Sequence, residues 1–234
     1  MKNESFSAMI LAAGYGKRLK PLTDNTPKPL IEVKGKPLLQ NTIEFLLNID
    51  CKEIVINTHY RHELIEDFIK KNFGNKNIII SYEKEILDTG GGIKKAADLF
   101  NNKKILVTNS DVFWTNKNSD HIIKFINNVH SFENCKLLLV PENYVNGLYN
   151  ISGDFYLDSG KVFRWKKNKT KFFYSGLQIL ELNLLNNYLE DKFSINLLWD
   201  KLISKNQLYG DKLESNWYHV GDIKALNDMK NLIT

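Results

Sequence analysis

The 234-residue chain predicts an α/β fold, a Rossmann-like and mainly parallel sheet sandwiched by helices, with a small antiparallel extension from its second half. Three observations predict it. Over the first 140 residues, short continuous apolar runs alternate with segments of helical period, as strands buried on both faces do in a parallel sheet. Beyond about residue 140 the segments shorten and turn residues separate them, the mark of antiparallel strands. The 43% hydrophobic share with 12% aromatic residues supplies one continuous core, and no linker or repeat divides it. One domain over residues 1–234 is expected, with about 1–140 as its core and about 141–234 adding a wall to the same pocket.

Residues 8–11 form an apolar run that ends near Gly14 and reads as a buried strand. Pro37 opens a helix carrying Leu38, Ile43, Leu46 and Leu47, since a proline is tolerated in a first turn. Residues 54–56 are the second strand, and 62–73 place Leu64, Ile65, Phe68 and Ile69 at helical spacing. A strand at 78–80, a helix over 92–100, and a strand at 105–107 stopping short of Asp111 follow. A helix over 120–129 and a strand at 136–140 complete this half. In the second half, strands are expected at 155–157, 161–165 and 172–179, the first two joined by the turn Asp158-Ser159-Gly160. A helix over 195–204, a strand over 207–212 and a closing helix over 223–232 end the chain. Open α/β sheets bind ligands at the carboxyl ends of their strands, which sets Gly14, Asn57 and Asp111 along one edge.

Composition narrows the function. The net charge of +5 comes from lysines spread along the chain in short doublets such as Lys70-Lys71 and Lys166-Lys167. A nucleic-acid partner would call for a clustered basic face, so none is expected. The apolar run 8–13 is too short for a signal peptide, and no stretch approaches the ~20 apolar residues of a membrane span. Cys51 and Cys135 lie far apart with no metal-ligand spacing, and read as buried thiols in a reducing cytoplasm.

Two motifs carry chemistry. Leu11-Ala12-Ala13-Gly14-Tyr15-Gly16-Lys17-Arg18-Leu19 follows the first strand directly, so backbone N–H groups can approach a phosphate, with Arg18 as a neighbouring cation. Leu19 stands where a dinucleotide fingerprint needs a third glycine, and the Gly-Lys-Ser/Thr ending of a P-loop is absent. Thr26-Pro27-Lys28-Pro29-Leu30 flanks Lys28 with prolines, which predicts a stiff, extended segment holding the lysine out of the α region. Fixed cations suit phosphoryl transfer, whose catalysis is largely electrostatic preorganisation.

Together the motifs resemble the signature of the sugar-1-phosphate nucleotidyltransferases, and the resemblance runs the length of the chain. It continues through Gly35-Lys36-Pro37-Leu38, Asp88-Thr89-Gly90-Gly91-Gly92-Ile93, which looks like the family's second glycine loop, Asn109-Ser110-Asp111, Gly153-Asp154-Phe155, Tyr174-Ser175-Gly176 and the segment Trp217-Tyr218-His219-Val220-Gly221-Asp222. Within that family the short form is most similar to the N-acetylmuramate-1-phosphate uridylyltransferases of peptidoglycan recycling, a match strengthened by Phe193-Ser194-Ile195-Asn196 and Leu198-Trp199-Asp200.

The resemblance implies a nucleoside triphosphate and a sugar 1-phosphate as partners, with UTP and N-acetylmuramate 1-phosphate as the specific pair. It implies that Ala12, Ala13, Gly14, Gly16 and Asn109 contact the nucleotide, that Asn57 and Gly91 line the nucleoside pocket, and that Arg18 and Lys28 clamp the triphosphate. Asp111 is implied to hold Mg²⁺, while Asp154, Ser175 and Gly176 are implied to face the sugar phosphate. One departure stands out. The family's last metal loop reads Trp-x-Asp-x-Gly-Thr, and here His219 replaces the aspartate while Asp222 stands at the threonine position. Imidazole is a poor Mg²⁺ ligand. Three arrangements remain open: Asp222 contributes, Asp111 and the phosphates suffice, or a softer ion such as Mn²⁺ binds partly through His219. Two other functions also stay open: another sugar phosphate or phosphocholine with another nucleotide, and a catalytically silent nucleotide-sugar-binding subunit.

Overall fold

The computed structural model describes residues 6–149 and 152–232. Nine strands form the main sheet: β1 (Phe6–Leu11), β2 (Cys51–Thr58), β3 (Ile78–Tyr82), β4 (Lys104–Asn109), β5 (Cys135–Pro141), β6 (Phe155–Asp158), β7 (Lys161–Arg164), β8 (Phe172–Glu181) and β9 (Tyr209–Lys212). Their order is β6-β7-β9-β5-β8-β4-β1-β2-β3. The half β4-β1-β2-β3 is parallel throughout. Among the described residues there are six α-helices: α1 (Leu38–Asn48), α2 (His62–Phe73), α3 (Asp88–Ala96), α4 (Ser119–Asn127), α5 (Ile195–Ser204) and α6 (Ile223–Leu232), the last packed on Leu19, Ile31, Val33 and Leu38 rather than on the main sheet.

The period-two alternation of a strand explains the two-sided core. Ala8 and Ile10 of β1, with Ile54 and Ile56 of β2, face the cluster built on α1, α2 and α4. Met9 and Val55, one residue along, face the cluster built on α3 and α5. Each helix presents one apolar stripe, as α2 does with Ile65, Ile69 and Phe73. Ser194 starts α5, its hydroxyl accepting from the Asn196 N–H, so the helix begins where the serine stands in sequence. Both cysteines are buried free thiols. No helix among the described residues is long and apolar enough to cross a membrane.

The Rossmann-like fold is thus present with its antiparallel addition, and the structure corrects two expectations within it. The antiparallel hairpin β6-β7 extends one edge of the sheet, while β8 runs between β4 and β5, antiparallel to both, and β9 pairs parallel with β5. The ten-residue β8 has neighbours far away in sequence, so its place could not be read locally. Lys28 is not extended. Lys28–Leu30 is a 3-10 turn after an extended Pro27, closed by the N–H groups of Leu30 and Ile31. Pro29 fits because its missing N–H falls in the first turn, where no bond is due. Finally, Gly90-Gly91-Gly92 is not a loop but the first turns of α3. A Cβ on Gly90 would lie 2.4 Å from the Phe193 ring, and one on Gly91 2.0 Å from the Asp191 carbonyl oxygen. The run is glycine because the 191–193 segment packs directly on the helix backbone, with the Phe193 carbonyl accepting from the N–H groups of both Gly90 and Gly91.

Candidate active site

The carboxyl ends of β1, β2 and β4 open into a cavity of about 370 Å³, within the range of small-ligand sites. Its lining includes Ala12, Ala13, Gly14, Gly16, Arg18, Lys28, Asn57, Asn109 and Asp111 from the sequence-derived set.

The floor is the 12–16 loop. Gly16 has φ +65, and a Cβ there would meet Lys28 Cβ at 2.9 Å and Thr23 Cγ2 at 3.0 Å. This glycine therefore lets the two motifs lie in contact and brings the Lys28 stem beside the loop. The Thr23 hydroxyl donates to the Gly16 carbonyl across the same junction (3.0 Å). Gly14 differs: its φ is not left-handed, and a Cβ would meet nothing within 4 Å. The fold places no demand on that position; a ligand lying on the backbone would. The N–H groups of Ala13, Gly14, Tyr15 and Gly16 donate to no acceptor among the described residues.

Charged groups gather on one wall. A short second sheet made of Val112–Phe113, Trp217–His219 and Val145–Asn146 pairs His219 opposite Val112, and the Val220 N–H donates to the Asp111 carbonyl (2.8 Å). That register brings His219 Nε2 to 3.3 Å from Asp111 Oδ2, where Lys28 Nζ also donates at 2.8 Å. Burial alone would push the Asp111 carboxyl up; the Lys28 charge, then His219, outweigh it and hold the group well below the usual carboxylate range. Arg18 lies beside them: a Cβ on Gly221 would meet Arg18 Nη1 at 3.4 Å and His219 Cε1 at 2.5 Å. Arg18 forms no ion pair among the described residues, so its guanidinium is unspent.

Asp111 Oδ1 is buried without a hydrogen-bond partner. A bare carboxylate oxygen at a strand end fits a hard cation, and Mg²⁺ is commonly held by one or two carboxylates plus substrate phosphates. Among the described residues no cluster of three or more His, Cys, Asp or Glu side chains accompanies it. Phosphate oxygens would have to complete such a site.

The structure uses other sequence-derived residues differently. Asp222 caps α6, its Oδ1 accepting from the Ala225 N–H (2.8 Å). Gly91 faces the 191–193 segment and does not line the cavity, where Asp88, Thr89 and Ile86 stand in its place. Asp154, Ser175 and Gly176 do not line it either. Asp154 Oδ2 accepts from the Tyr174 N–H (2.9 Å), tying the start of β6 to β8. Ser175 is wholly buried, its hydroxyl accepting from the Leu177 N–H and its carbonyl from Trp217 Nε1. Gly176, at φ +80, bulges β8 against Asn109. Asn57 touches the loop rather than offering free groups: its Oδ1 accepts from the Ala12 N–H (2.8 Å).

Sequence reading missed Glu83, a buried lining residue to which Asn57 Nδ2 donates at 2.6 Å. A lone glutamate after a strand carries no local signal. The segment 59–61 proves to be a brace: Tyr60 donates to the carbonyls of Thr23 and Asp24, and Arg61 to that of Asp24. Trp114 packs in the core against Phe45, and Trp165 donates to the Lys169 carbonyl.

Residues 7–146 match the model of the nucleotidyl transferase family. The chain is 30% identical over 225 residues to N-acetylmuramate alpha-1-phosphate uridylyltransferase of Caulobacter vibrioides, covering 93% of each chain. The enzyme of that name from Neisseria meningitidis is 32% identical over 232 residues, covering 96% of this chain and 97% of the relative. Mannose-1-phosphate guanyltransferase of Saccharomyces cerevisiae is 29% identical over 92% of this chain and 61% of its own length. The crystal structure of HddC from Yersinia pseudotuberculosis complexed with GMP-PN superposes with a TM-score of 0.80, covering 98% of this chain and all of that one; at 24% identity it speaks for the fold alone. With a family match over more than half its length and the loop, Lys28 and Asp111 meeting in one cavity, the chain belongs to the nucleotidyl transferase family.

Proposed function

We propose that the chain transfers a uridylyl group from UTP to N-acetylmuramate 1-phosphate and releases pyrophosphate, a reaction of peptidoglycan recycling. Its class, a sugar-1-phosphate nucleotidyltransferase, comes with the family and with relatives matched over 93% and 97% of their length. The observation that most supports the reading is the convergence of Arg18, Lys28 and Asp111 on a cavity floored by unengaged backbone N–H groups.

The residues divide the work by charge. The N–H groups of residues 13–16 receive phosphate oxygens, and Gly14 keeps the floor low enough for them to reach. Arg18 offers a planar fork to two oxygens at once. Lys28, fixed by the 27–30 turn, would meet the α-phosphoryl group, while Asp111 Oδ1 would hold the ion and Oδ2 keeps the lysine aimed. When bound, Mg²⁺ neutralises charge on the phosphates. The attacking sugar phosphate oxygen is anionic near neutral pH, so the chain need supply no general base. Positioning and fixed charge do the catalysis.

A pyrophosphate-release screen tests the reading, crossing four nucleoside triphosphates with N-acetylmuramate 1-phosphate, mannose 1-phosphate and phosphocholine. Turnover confined to UTP with the muramate is expected. Turnover with GTP and mannose 1-phosphate would move the chain to the other group of relatives, and none with any pair would make it a silent binding subunit.

A further inference from the structure

Glu83 is 1% exposed and has no cationic partner among the described residues. It lines the nucleotide cavity but spends both carboxylate oxygens on the protein. Oε1 accepts from Asn57 Nδ2 (2.6 Å) and Oε2 from the Leu87 N–H (2.9 Å) at the start of α3. Asn57 in turn accepts from the Ala12 N–H (2.8 Å), the first residue of the loop. A second route leaves the same residue through its backbone. The Glu83 carbonyl can only accept, so His59 donates to it from Nδ1 (2.8 Å), while its Nε2 shares a hydrogen bond with the Tyr15 hydroxyl (3.0 Å). Glu83 therefore reaches the loop on both sides of Gly14. Gly92 makes room: a Cβ there would lie 2.6 Å from Glu83 Oε1 and 2.8 Å from Asn57 Nδ2.

We infer that Glu83 is the positioning residue of the nucleotide loop, setting through Asn57 and His59 the backbone that receives the phosphates, and that it does not read the base. The inference rests on the proposed use of the cavity, but its geometry stands apart from any substrate. Two N–H donors arrive at different ends of the side-chain terminus, one on Oε1 and one on Oε2, so both terminal atoms must accept, as the two oxygens of a carboxylate do and the O/NH₂ pair of an amide cannot. Glu83→Gln aims an NH₂ group at one of those donors. If it meets Asn57, the asparagine must flip and turn its own NH₂ towards the Ala12 N–H. Asn57→Asp sets two carboxylates face to face. The double variant Asn57→Asp/Glu83→Gln repairs both, because it exchanges the amide and the carboxylate between the two positions. The carboxylate now at position 57 accepts from the Ala12 N–H and from the amide NH₂ at position 83. The amide oxygen at position 83 accepts from the Leu87 N–H, and the net charge is unchanged.

The test measures UTP affinity for the wild type, both single variants and the double, with amide hydrogen exchange at Ala12 and Leu87 in the ligand-free protein. Each single variant is expected to weaken UTP binding about tenfold or more and to speed exchange at Ala12 or Leu87 by a similar factor. The double is expected to return to within about threefold of wild type on both readouts, the scatter of a well-made replacement. ATP, CTP and GTP affinities should move by the same factor as UTP. A double variant no better than the worse single, or single variants that leave exchange and affinity unchanged, would overturn the inference. A Glu83→Gln protein whose preference among the four nucleotides changes would assign the side chain to the base instead. Restored exchange in the double variant, alongside a wild type that binds none of the four nucleotides, would leave the network standing and sink the proposed use of the cavity.

Discussion

Replacing Gly14 and Gly16 separately by alanine pulls apart what the fold requires and what the ligand requires. At Gly16 the backbone has φ +65 and the new Cβ would lie 2.9 Å from Lys28 Cβ and 3.0 Å from Thr23 Cγ2. The left-handed conformation costs alanine about 1–2 kcal/mol and the overpacking at least about 1 more, a total of about 2–4 kcal/mol. For a chain of this size each kcal/mol lowers Tm by about 2–4 °C, so Gly16→Ala should melt about 5–15 °C early. At Gly14 a Cβ meets nothing within 4 Å and φ is not left-handed. Gly14→Ala should hold its Tm or gain slightly, because alanine restricts the unfolded chain. Its methyl would nevertheless project into the cavity where the proposed phosphates lie, weakening nucleotide affinity at least about tenfold through lost N–H contacts. Differential scanning fluorimetry and nucleotide titration read the two effects separately. A Gly14→Ala protein that binds nucleotide normally, or melts as early as Gly16→Ala, would refute this reasoning.

Three further outcomes follow from the same geometry. Lys28→Met keeps the stem but removes the ammonium 2.8 Å from Asp111 Oδ2; kcat should fall about 10²–10³-fold, and a fall of less than tenfold in a folded protein would reduce Lys28 to a structural partner. Asp222→Ala should cost about 1 kcal/mol by uncapping α6 while leaving divalent-ion affinity in the presence of nucleotide unchanged, whereas Asp111→Asn should abolish that affinity; an ion-binding loss in Asp222→Ala would restore it to the metal site. Burial pushes the Cys51 thiol up from 9.0 to about 12, and the Cys135 thiol up as well. Both stay protonated in the native state where an unfolded chain would ionise, so stability should fall as pH rises above about 9. Neither thiol should react with a disulfide reagent at pH 8 until the protein is unfolded.

Much of the architecture was legible because local period and position agreed. The helices at Ile195–Ser204 and Ile223–Leu232 begin and end where their patterns do, and the edge joining Gly14, Asn57 and Asp111 followed from the parallel half of the sheet. What stayed hidden depends on partners remote in sequence. β8 reads as an ordinary strand, and nothing in residues 172–181 says that it separates β4 from β5. The three glycines of α3 look like a ligand loop until Phe193, about a hundred residues on, is seen against them. Each proline beside Lys28 argues by itself for an extended residue, whereas the 3-10 turn needs only the N–H groups of Leu30 and Ile31. Asp222 shows its other partner only in the fold, where one carboxylate oxygen caps the start of α6.

The most direct test of the central claim is a crystal structure with a non-hydrolysable UTP analogue and Mn²⁺, with the ion located by anomalous scattering. The account predicts a triphosphate lying on Gly14 between Arg18 and Lys28, with the anomalous peak beside Asp111 Oδ1. A nucleotide seated elsewhere, or an ion distant from Asp111, would contradict it.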